Sequence, residues 1–351
     1  MGNNKLAMFD SKPYDMESFN RVNENSRYGF DIHYYPSRLT KDTALLTKGF
    51  EAVCVFVNDT IDKAIVDMLH ENGVRLLALR SAGYNNVDLQ AIYKKIHVVR
   101  VPAYSPHAVA EHAIALMMAL NRKTHKAYFR TRDNNFTLNN LLGFDMFGKT
   151  AGVIGTGKIG KIVAQILRGF KMKVLAFDIY PDNDFAEKNG IRYTDLDTLY
   201  SQSDIITLHS PLTPENVHMI NCDTIEKMKN GVMIINTGRG KLINTKDLIE
   251  GLKCRKIGYA GLDVYEEEGD YFFEDFSAEA ISDDVLARLM TFPNVLVTSH
   301  QAFFTKEALE NIAETTLENV RLFLEENKLQ NEICYRCSDG RCLKEKEGKC
   351  F

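Results

Sequence analysis

The 351-residue chain reads as an α/β protein made of two doubly wound parallel-sheet units. Three observations lead there. Its length suits roughly two domains of about 150 residues. Its first hundred residues alternate short apolar runs with amphipathic stretches, and a second series of the same kind begins at KTAGVIGTGKIG. Strands that alternate with helices pack as a parallel sheet covered on both faces.

In order, the first series predicts strands at 5–10 (KLAMFD), 30–35 (FDIHYY), 52–57 (AVCVFV), 75–80 (RLLALR) and 97–102 (HVVRVP). Between them, 60–72 is helical, with Ile61, Ile65, Met68 and Leu69 on one face. Pro102 and Pro106 break regular structure and mark a hinge. A long helix is expected over 107–132, its first half apolar nearly all round, which suits burial against another domain or subunit. The second series places strands at 173–177, 204–209, 232–236, 259–264 and 294–300. A final helix, 305–327, carries Ala308, Ile312, Thr315, Leu317, Val320 and Leu324 at helical spacing. A return of that helix to the first unit would make the first unit discontinuous.

Composition narrows the function. The residues are 45% hydrophobic and 26% charged, as in a soluble globular protein, and the net charge of −4 supplies no basic field for nucleic acid or an anionic membrane. An anionic small substrate therefore needs a local cation. No apolar run reaches the length of a membrane span, the N-terminus lacks the pattern of a signal peptide, and the expected compartment is the cytoplasm. Of seven cysteines, Cys54, Cys222 and Cys254 sit in globular segments and read as inert thiols.

The strongest local signal is a turn. Ala151, Val153 and Ile154 form a buried-strand run, then Gly155-Thr156-Gly157-Lys158-Ile159-Gly160 leads into the helical KIVAQILRGF. The first glycine permits the tight turn, the second lets backbone approach a pyrophosphate, and the third lets helix and strand pack closely. Amides at the helix N-terminus stabilise phosphates. The next strand ends at Asp178, placed to accept from ribose hydroxyls. No Arg or Lys follows in DIYPDNDF to take a 2′-phosphate, so NAD is favoured over NADP.

Three later segments each put a polar residue just past an apolar strand, where open α/β sheets bind ligands. They are IINTGRG with Arg239, GLDVYEEE with Asp263 and Glu268, and VLVTSHQAF with His300. Singly, each has a plain alternative: a surface ion pair, a solvated acidic run, a core histidine. Together they suit a 2-oxo acid. Arg offers a bidentate fork to a carboxylate. His supplies the proton that a carbonyl oxygen needs as hydride arrives at its carbon. A carboxylate beside the imidazolium would stabilise it.

These segments also carry a resemblance. With AVCVFVND, RVPAYSPHAVAEHAIALMMALNRK, SPLTPENVHMIN and FFEDFSAEAISDDV, they make the chain similar to the D-isomer-specific 2-hydroxyacid dehydrogenases, most closely the bacterial fermentative D-lactate branch, from about residue 5 to 330. The resemblance implies a flavodoxin-like substrate domain (1–103 plus 301–333), a Rossmann NAD-binding domain (104–300) and a tail, 334–351. By it, Arg239 anchors the substrate carboxylate, His300 is the acid/base and Glu268 its partner. Backbone amides around Ala82 and Gly83 hold the carboxylate, with Tyr104 near the substrate. Lys158 and Ile159 line the turn, Asp178 takes the adenosine ribose, and His209, Ser210, Pro211 and Asn216 form the wall under the adenine half. Thr237, Gly238 and Asp263 flank the nicotinamide. Helix 107–132 becomes a contact in a homodimer or dimer of dimers. The implied reaction is reduction of pyruvate by NADH.

The tail departs from the family. Cys334, Cys337, Cys342 and Cys350 follow the spacing C-x2-C-x4-C-x7-C. Four thiolates can close a zinc site, and an iron–sulfur cluster is a lesser fit. Free or disulfide-bonded cysteines are the plain alternative. Two other functions compete with lactate chemistry: reduction of bulkier 2-oxo acids such as 2-oxoisocaproate or phenylpyruvate, and an NAD-sensing corepressor. Arg239, Glu268 and His300 together disfavour the corepressor.

Overall fold

The computed structural model describes residues 4–267 and 271–333. Glu268 and the four tail cysteines lie outside the described residues. The chain divides into two compact units, one holding the residues up to Ser105 together with those from Phe304 onward, the other Pro106–Phe303.

In the first unit, β1 (Lys5–Met8), β2 (Asp31–Tyr34), β3 (Ala52–Val55), β4 (Leu76–Leu79) and β5 (His97–Arg100) form a parallel sheet of order β2-β1-β3-β4-β5. This is the flavodoxin-like winding. Helices α1 (Pro13–Asn25), α2 (Lys63–Glu71) and α3 (Leu89–Ile92) connect the strands. The strands stop short of the sequence expectation because polar residues end them: Asp10 is buried at φ 49, and Arg80 turns inward with its side chain 1% exposed.

The second unit opens with α4 (Pro106–Arg122) and α5 (Thr124–Arg132). Its strands are β6 (Thr150–Ile154), β7 (Lys173–Phe177), β8 (Ile191–Tyr193), β9 (Ile205–Leu208), β10 (Val232–Asn236), β11 (Ile257–Leu262) and β12 (Val295–Val297). They pair in parallel in the order β12-β11-β10-β9-β6-β7-β8. Read from β8 this is 3-2-1-4-5-6 with a seventh strand, the dinucleotide-binding winding. Helices α6 (Lys158–Gly169), α7 (Asn183–Asn189), α8 (Leu196–Gln202), α9 (Cys222–Lys227), α10 (Thr245–Lys253) and α11 (Asp284–Met290) cover both faces. Alternate residues of one strand serve opposite cores. Ile154, Leu208, Ile234 and Leu262 pack on one side, while Val153, Ile205, Met233 and Ile235 pack on the other. Burial on both faces is why these strands read as unbroken apolar runs. The three-residue β8 had no such run and was not foreseen.

The final helix, α12 (Lys306–Glu326), packs on α1, β4 and β5 of the first unit. The single helix expected over 107–132 is two. Lys123 takes the left-handed conformation, φ 51, and starts a second axis. The apolar first half is explained within its own unit: Ala110, Ala113, Leu116, Met117 and Leu120 pack with Val163, Ala164 and Leu167 of α6. By contrast α5 has no buried residue, and Tyr128, Phe129, Phe136, Leu138, Leu142 and Phe147 are each more than half exposed. Among the described residues no helix is long and apolar enough to cross a membrane, and no group of three or more His, Cys, Asp or Glu is placed to hold a metal ion. Cys54 is sealed in the first core, where burial pushes its thiol up to about 12, while Cys222 and Cys254 are exposed.

Candidate active site

Among the described residues, most candidates of the second unit follow the carboxyl end of a strand, while Asn216 lies farther along the loop after β9. Gly155 follows β6, Asp178 follows β7, His209 and Ser210 follow β9, Thr237–Arg239 follow β10, Asp263 follows β11, and His300 lies three residues past β12. β6 and β9 are neighbours where the winding reverses, which is where such sheets open for a ligand.

The three glycines have different duties. Gly155 sits at φ +89, and a Cβ there would lie 2.5 Å from Ser210 N. A Cβ on Gly160 would lie 1.9 Å from Gly155 O, so α6 packs this closely on the turn only without a side chain. Gly157, the N-cap of α6, has nothing within 4 Å of its Cβ direction. Its openness leaves the exposed turn at Gly157 and Lys158 approachable by a phosphate at the positive end of a helix dipole. Asp178 braces the turn: Oδ2 accepts from Thr156 N at 2.6 Å and Thr156 Oγ1 at 3.1 Å, and Oδ1 accepts from Tyr180 N at 2.9 Å.

Two buried hydroxyls test whether a dinucleotide fits. Ser210 Oγ and Thr237 Oγ1 have no hydrogen-bond partner among the described residues. A buried hydroxyl left without a partner costs about 1–3 kcal/mol, so one against the glycine turn and one at the end of β10 suit a surface completed by a polar ligand. His209 is not charged there. Burial pushes its imidazole down to about 4, and Nε2 meets Thr207 Oγ1 at 2.8 Å, so it is a neutral wall. Asn216 commits both ends of its amide to its own loop, accepting from Thr213 N at 2.8 Å and donating to Pro211 O at 2.7 Å. Its side chain shapes its own loop after β9.

On the other side of β9, the strands β10, β11 and β12 lie side by side. Asn236 at the end of β10 is buried and pins the next turn, accepting from Gly238 N at 3.0 Å and donating to Arg239 O at 2.9 Å. Arg239 is half-buried, and its Nη1 donates to Gly238 O at 2.7 Å. A Cβ on Gly240 would lie 2.0 Å from Tyr265 O, so the turn presses directly on the backbone after β11. There Glu266 bridges His218 Nε2 at 2.6 Å and the amide of Thr245 at 2.8 Å, two residues before Glu268.

Asp263 is fully buried and organises the histidine segment. Its carboxylate accepts from Thr298 Oγ1 at 2.6 Å, Gln301 N at 2.9 Å and Ala302 N at 2.8 Å, with His112 Nε2 3.3 Å away. His112 Nε2 also lies 3.1 Å from Thr298 Oγ1. His300 N donates to Asp263 O at 2.8 Å, and this holds His300 at φ +54, a conformation that costs a non-glycine residue free energy and persists only when its surroundings enforce it. Its ring centroid is 5.9 Å from that of Phe273.

The other unit holds Ala82, Gly83 and Tyr104. Ala82 and Gly83 follow β4, where Ser81 Oγ donates to Gly83 O and Arg100 Nη1 to Ala82 O, both at 2.8 Å. Tyr104 O accepts from Asn311 Nδ2 of α12 at 2.7 Å.

Known proteins share this sequence and this fold. Residues 114–302 match the family described as D-isomer specific 2-hydroxyacid dehydrogenase, NAD binding domain. The chain is 53% identical over 330 residues to a D-lactate dehydrogenase of Escherichia coli, covering 94% of this chain and 99% of that one. It belongs to the D-isomer specific 2-hydroxyacid dehydrogenase family. The apo structure of the Escherichia coli D-lactate dehydrogenase superposes with a TM-score of 0.86 at 51% identity, over 94% of this chain and 99% of that chain. A D-lactate dehydrogenase from Aquifex aeolicus, complexed with NAD and lactic acid, gives 0.80 at 32% identity over 92% and 96%.

For this family member the second unit is the NAD-binding domain. Sequence reasoning missed several residues in it. Thr156 joins the braced turn to Tyr193 OH at 2.7 Å, and Ile179 and Tyr180 stand 74% and 83% exposed just past Asp178. Asn236 and Thr298 bond directly to the backbone of Arg239 and His300, whereas His112 reaches that segment only through Asp263 and Thr298. Adjacency to a glycine or to Asp178 could have flagged the first three residues. His112, on a helix remote in sequence from His300, offered no such signal.

Proposed function

We propose that the chain is an NAD-dependent D-lactate dehydrogenase that reduces pyruvate. The observation that carries this reading is the triple strand-end arrangement of Arg239, Asp263 and His300 beside a glycine turn with two unpartnered hydroxyls. The 53% identity to a D-lactate dehydrogenase supports the lactate assignment. Gly155, Gly157, Lys158, Ile159 and Gly160 would hold the pyrophosphate, Asp178 the ribose, and Ser210 and Thr237 would donate to the bound dinucleotide. When bound, NADH supplies the hydride that converts the C2 carbonyl to an alcohol. Arg239 pairs with the substrate carboxylate through its fork and fixes which way the carbonyl faces. His300 gives its proton to the C2 oxygen, with Glu268 as the partner of the imidazolium. Asp263 and His112 keep the histidine segment from relaxing away. The exposed apolar side chains of α5 and 133–147 support a homodimer or a dimer of dimers.

The test follows NADH oxidation with pyruvate, 2-oxoisocaproate and phenylpyruvate, resolving D- from L-products. Pyruvate should be preferred and the product should be D-lactate. Inactivity on all three would remove the enzyme reading, and preference for a larger acid would move it within the family. In His300→Gln, kcat should fall by about 10²–10⁴ while NADH binding, read by fluorescence, persists. Undiminished turnover would mean that another group is the acid.

A further inference from the structure

Three successive carbonyls after β4 are each turned toward a donor of the first unit. Ser81 O accepts from Val101 N at 3.1 Å, Ala82 O from Arg100 Nη1 at 2.8 Å, and Gly83 O from Ser81 Oγ at 2.8 Å. A trans peptide is planar, with its N–H opposite its C=O. Fixing those three oxygens therefore aims the amides of Ala82, Gly83 and Tyr84 the other way, and none of the three donates to an acceptor among the described residues. Consecutive amides left without partners in this manner are available to cradle an anion.

Two of the three ties are local, from the neighbouring strand's backbone and from a serine two residues away. The middle one depends on a long side chain, Arg100. Its guanidinium also stacks over the Tyr84 ring, with Cζ 5.2 Å from the centroid. Its backbone is gripped on both sides. Arg100 N donates to Asn331 O at 3.1 Å, Arg100 O accepts from Asn319 Nδ2 at 3.0 Å, and Asn331 Nδ2 donates to Asn319 Oδ1 at 2.9 Å. A flexible arginine is thus held at its root by α12 and the segment after it, and at its tip by a carbonyl and a ring.

We propose that Arg100 is a positioning residue for the substrate carboxylate: it orients the Ala82–Gly83 peptide so that the Gly83 amide completes the cradle, and it adds a positive charge behind it. This rests on the reading that the loop takes the carboxylate of a 2-oxo acid. Arg100 acts on anion binding and leaves turnover to Arg239 and His300.

The experiment compares R100M and R100K with the parent protein in KM for pyruvate, kcat, the inhibition constant of oxamate (an unreactive mimic of pyruvate), NADH affinity and Tm. In R100M, KM and the oxamate constant should rise together by about tenfold, the loss of one charge-assisted hydrogen bond, with kcat changed less than about threefold and NADH affinity and Tm held. R100K, which keeps the charge but loses the planar fork, should recover part of that rise, and it carries the test if R100M does not fold. Unchanged KM and oxamate binding in both variants, or a fall confined to kcat, would overturn the proposal. A82P, which deletes one amide outright, separates the two readings, with S81A as its replacement should it fail to fold. If that variant weakens oxamate while R100M does not, the loop reading stands and the role of Arg100 falls. If neither moves oxamate, both fall.

Discussion

The same junction, first strand to first helix, is built in opposite ways in the two units. After β6 the chain is stripped to glycine and the space at Gly157 is left open. After β1 the chain runs Phe9-Asp10-Ser11-Lys12, and the space is filled. Arg80 lies 1% exposed and donates to Phe9 O at 3.0 Å and Asp10 O at 2.7 Å, with Asp15 Oδ2 3.5 Å away and its Cζ 4.7 Å from the Phe56 ring centroid. An arginine thus occupies the space beside the first turn of one unit, where the other unit leaves its turn open. The residues of one turn, and not the shared α/β class, set what each junction can accept.

The largest effects should come from breaking each junction in its own manner. Gly160→Ala places a methyl group against Gly155 O and should cost the second unit both thermal stability and NADH binding. Arg80→Met leaves the buried Asp15 without its cation and the carbonyls of Phe9 and Asp10 without their donor, although the Asp10 carboxylate keeps Lys12 Nζ at 3.1 Å, and should destabilise the first unit by about 3–5 kcal/mol, while NADH binding survives. Loss of NADH binding in folded Arg80→Met protein would refute the independence of the two junctions. Denaturation followed by hydrogen exchange in each unit reads both.

A subtler change sharpens the contrast. Gly157→Ala meets no protein atom, so Tm should hold within about a degree while NADH affinity falls by about tenfold or more, because the methyl group enters the ligand's space. Unaltered affinity would show that the pyrophosphate lies elsewhere.

The smallest effect is in pH. His209 binds its proton near 6.5 when unfolded and about 4 when folded, so across that window the unfolded chain holds the extra proton and the second unit loses stability as pH falls. Asp59 behaves oppositely. Burial raises it to about 6 from its ordinary 3.8, so the folded first unit holds the extra proton and gains stability as pH falls from 6 to 3.8. Hydrogen exchange at pH 7 and pH 5 should show the second unit loosening more than the first. His209→Gln should flatten that difference, and an equal response in parent and variant would discard it.

How much of this was legible in the sequence depended on whether a residue acts through its own neighbours. VMIIN and KVLAF were readable because strands buried on both faces confine their polar residues to the ends of the run, Asn236 in one and Lys173 in the other. The glycine turn was readable because each glycine answers a local steric demand. Lys123 was not, since a left-handed residue inside an apolar helical period leaves the period intact. His112 and Thr298 were missed for a different reason. Their partner is a buried carboxylate more than 30 residues away, and no spacing rule connects a helix near 112 to a strand end near 298. Arg80 read as the end of a strand, whereas its guanidinium fills the core beside β1.

Asp263 has a consequence beyond geometry. One carboxylate gathers the segment 298–302 to the end of β11 through a hydroxyl and two amides. Ordering a backbone residue costs about 1–2 kcal/mol of conformational entropy, so a segment of this length would wander readily if released. Under the proposed reaction, a chain lacking that carboxylate would still contain His300, yet the residue would have to search for its position on every turnover. The waiting time of that search, more than the strength of the acid, would then set the pace of the reaction.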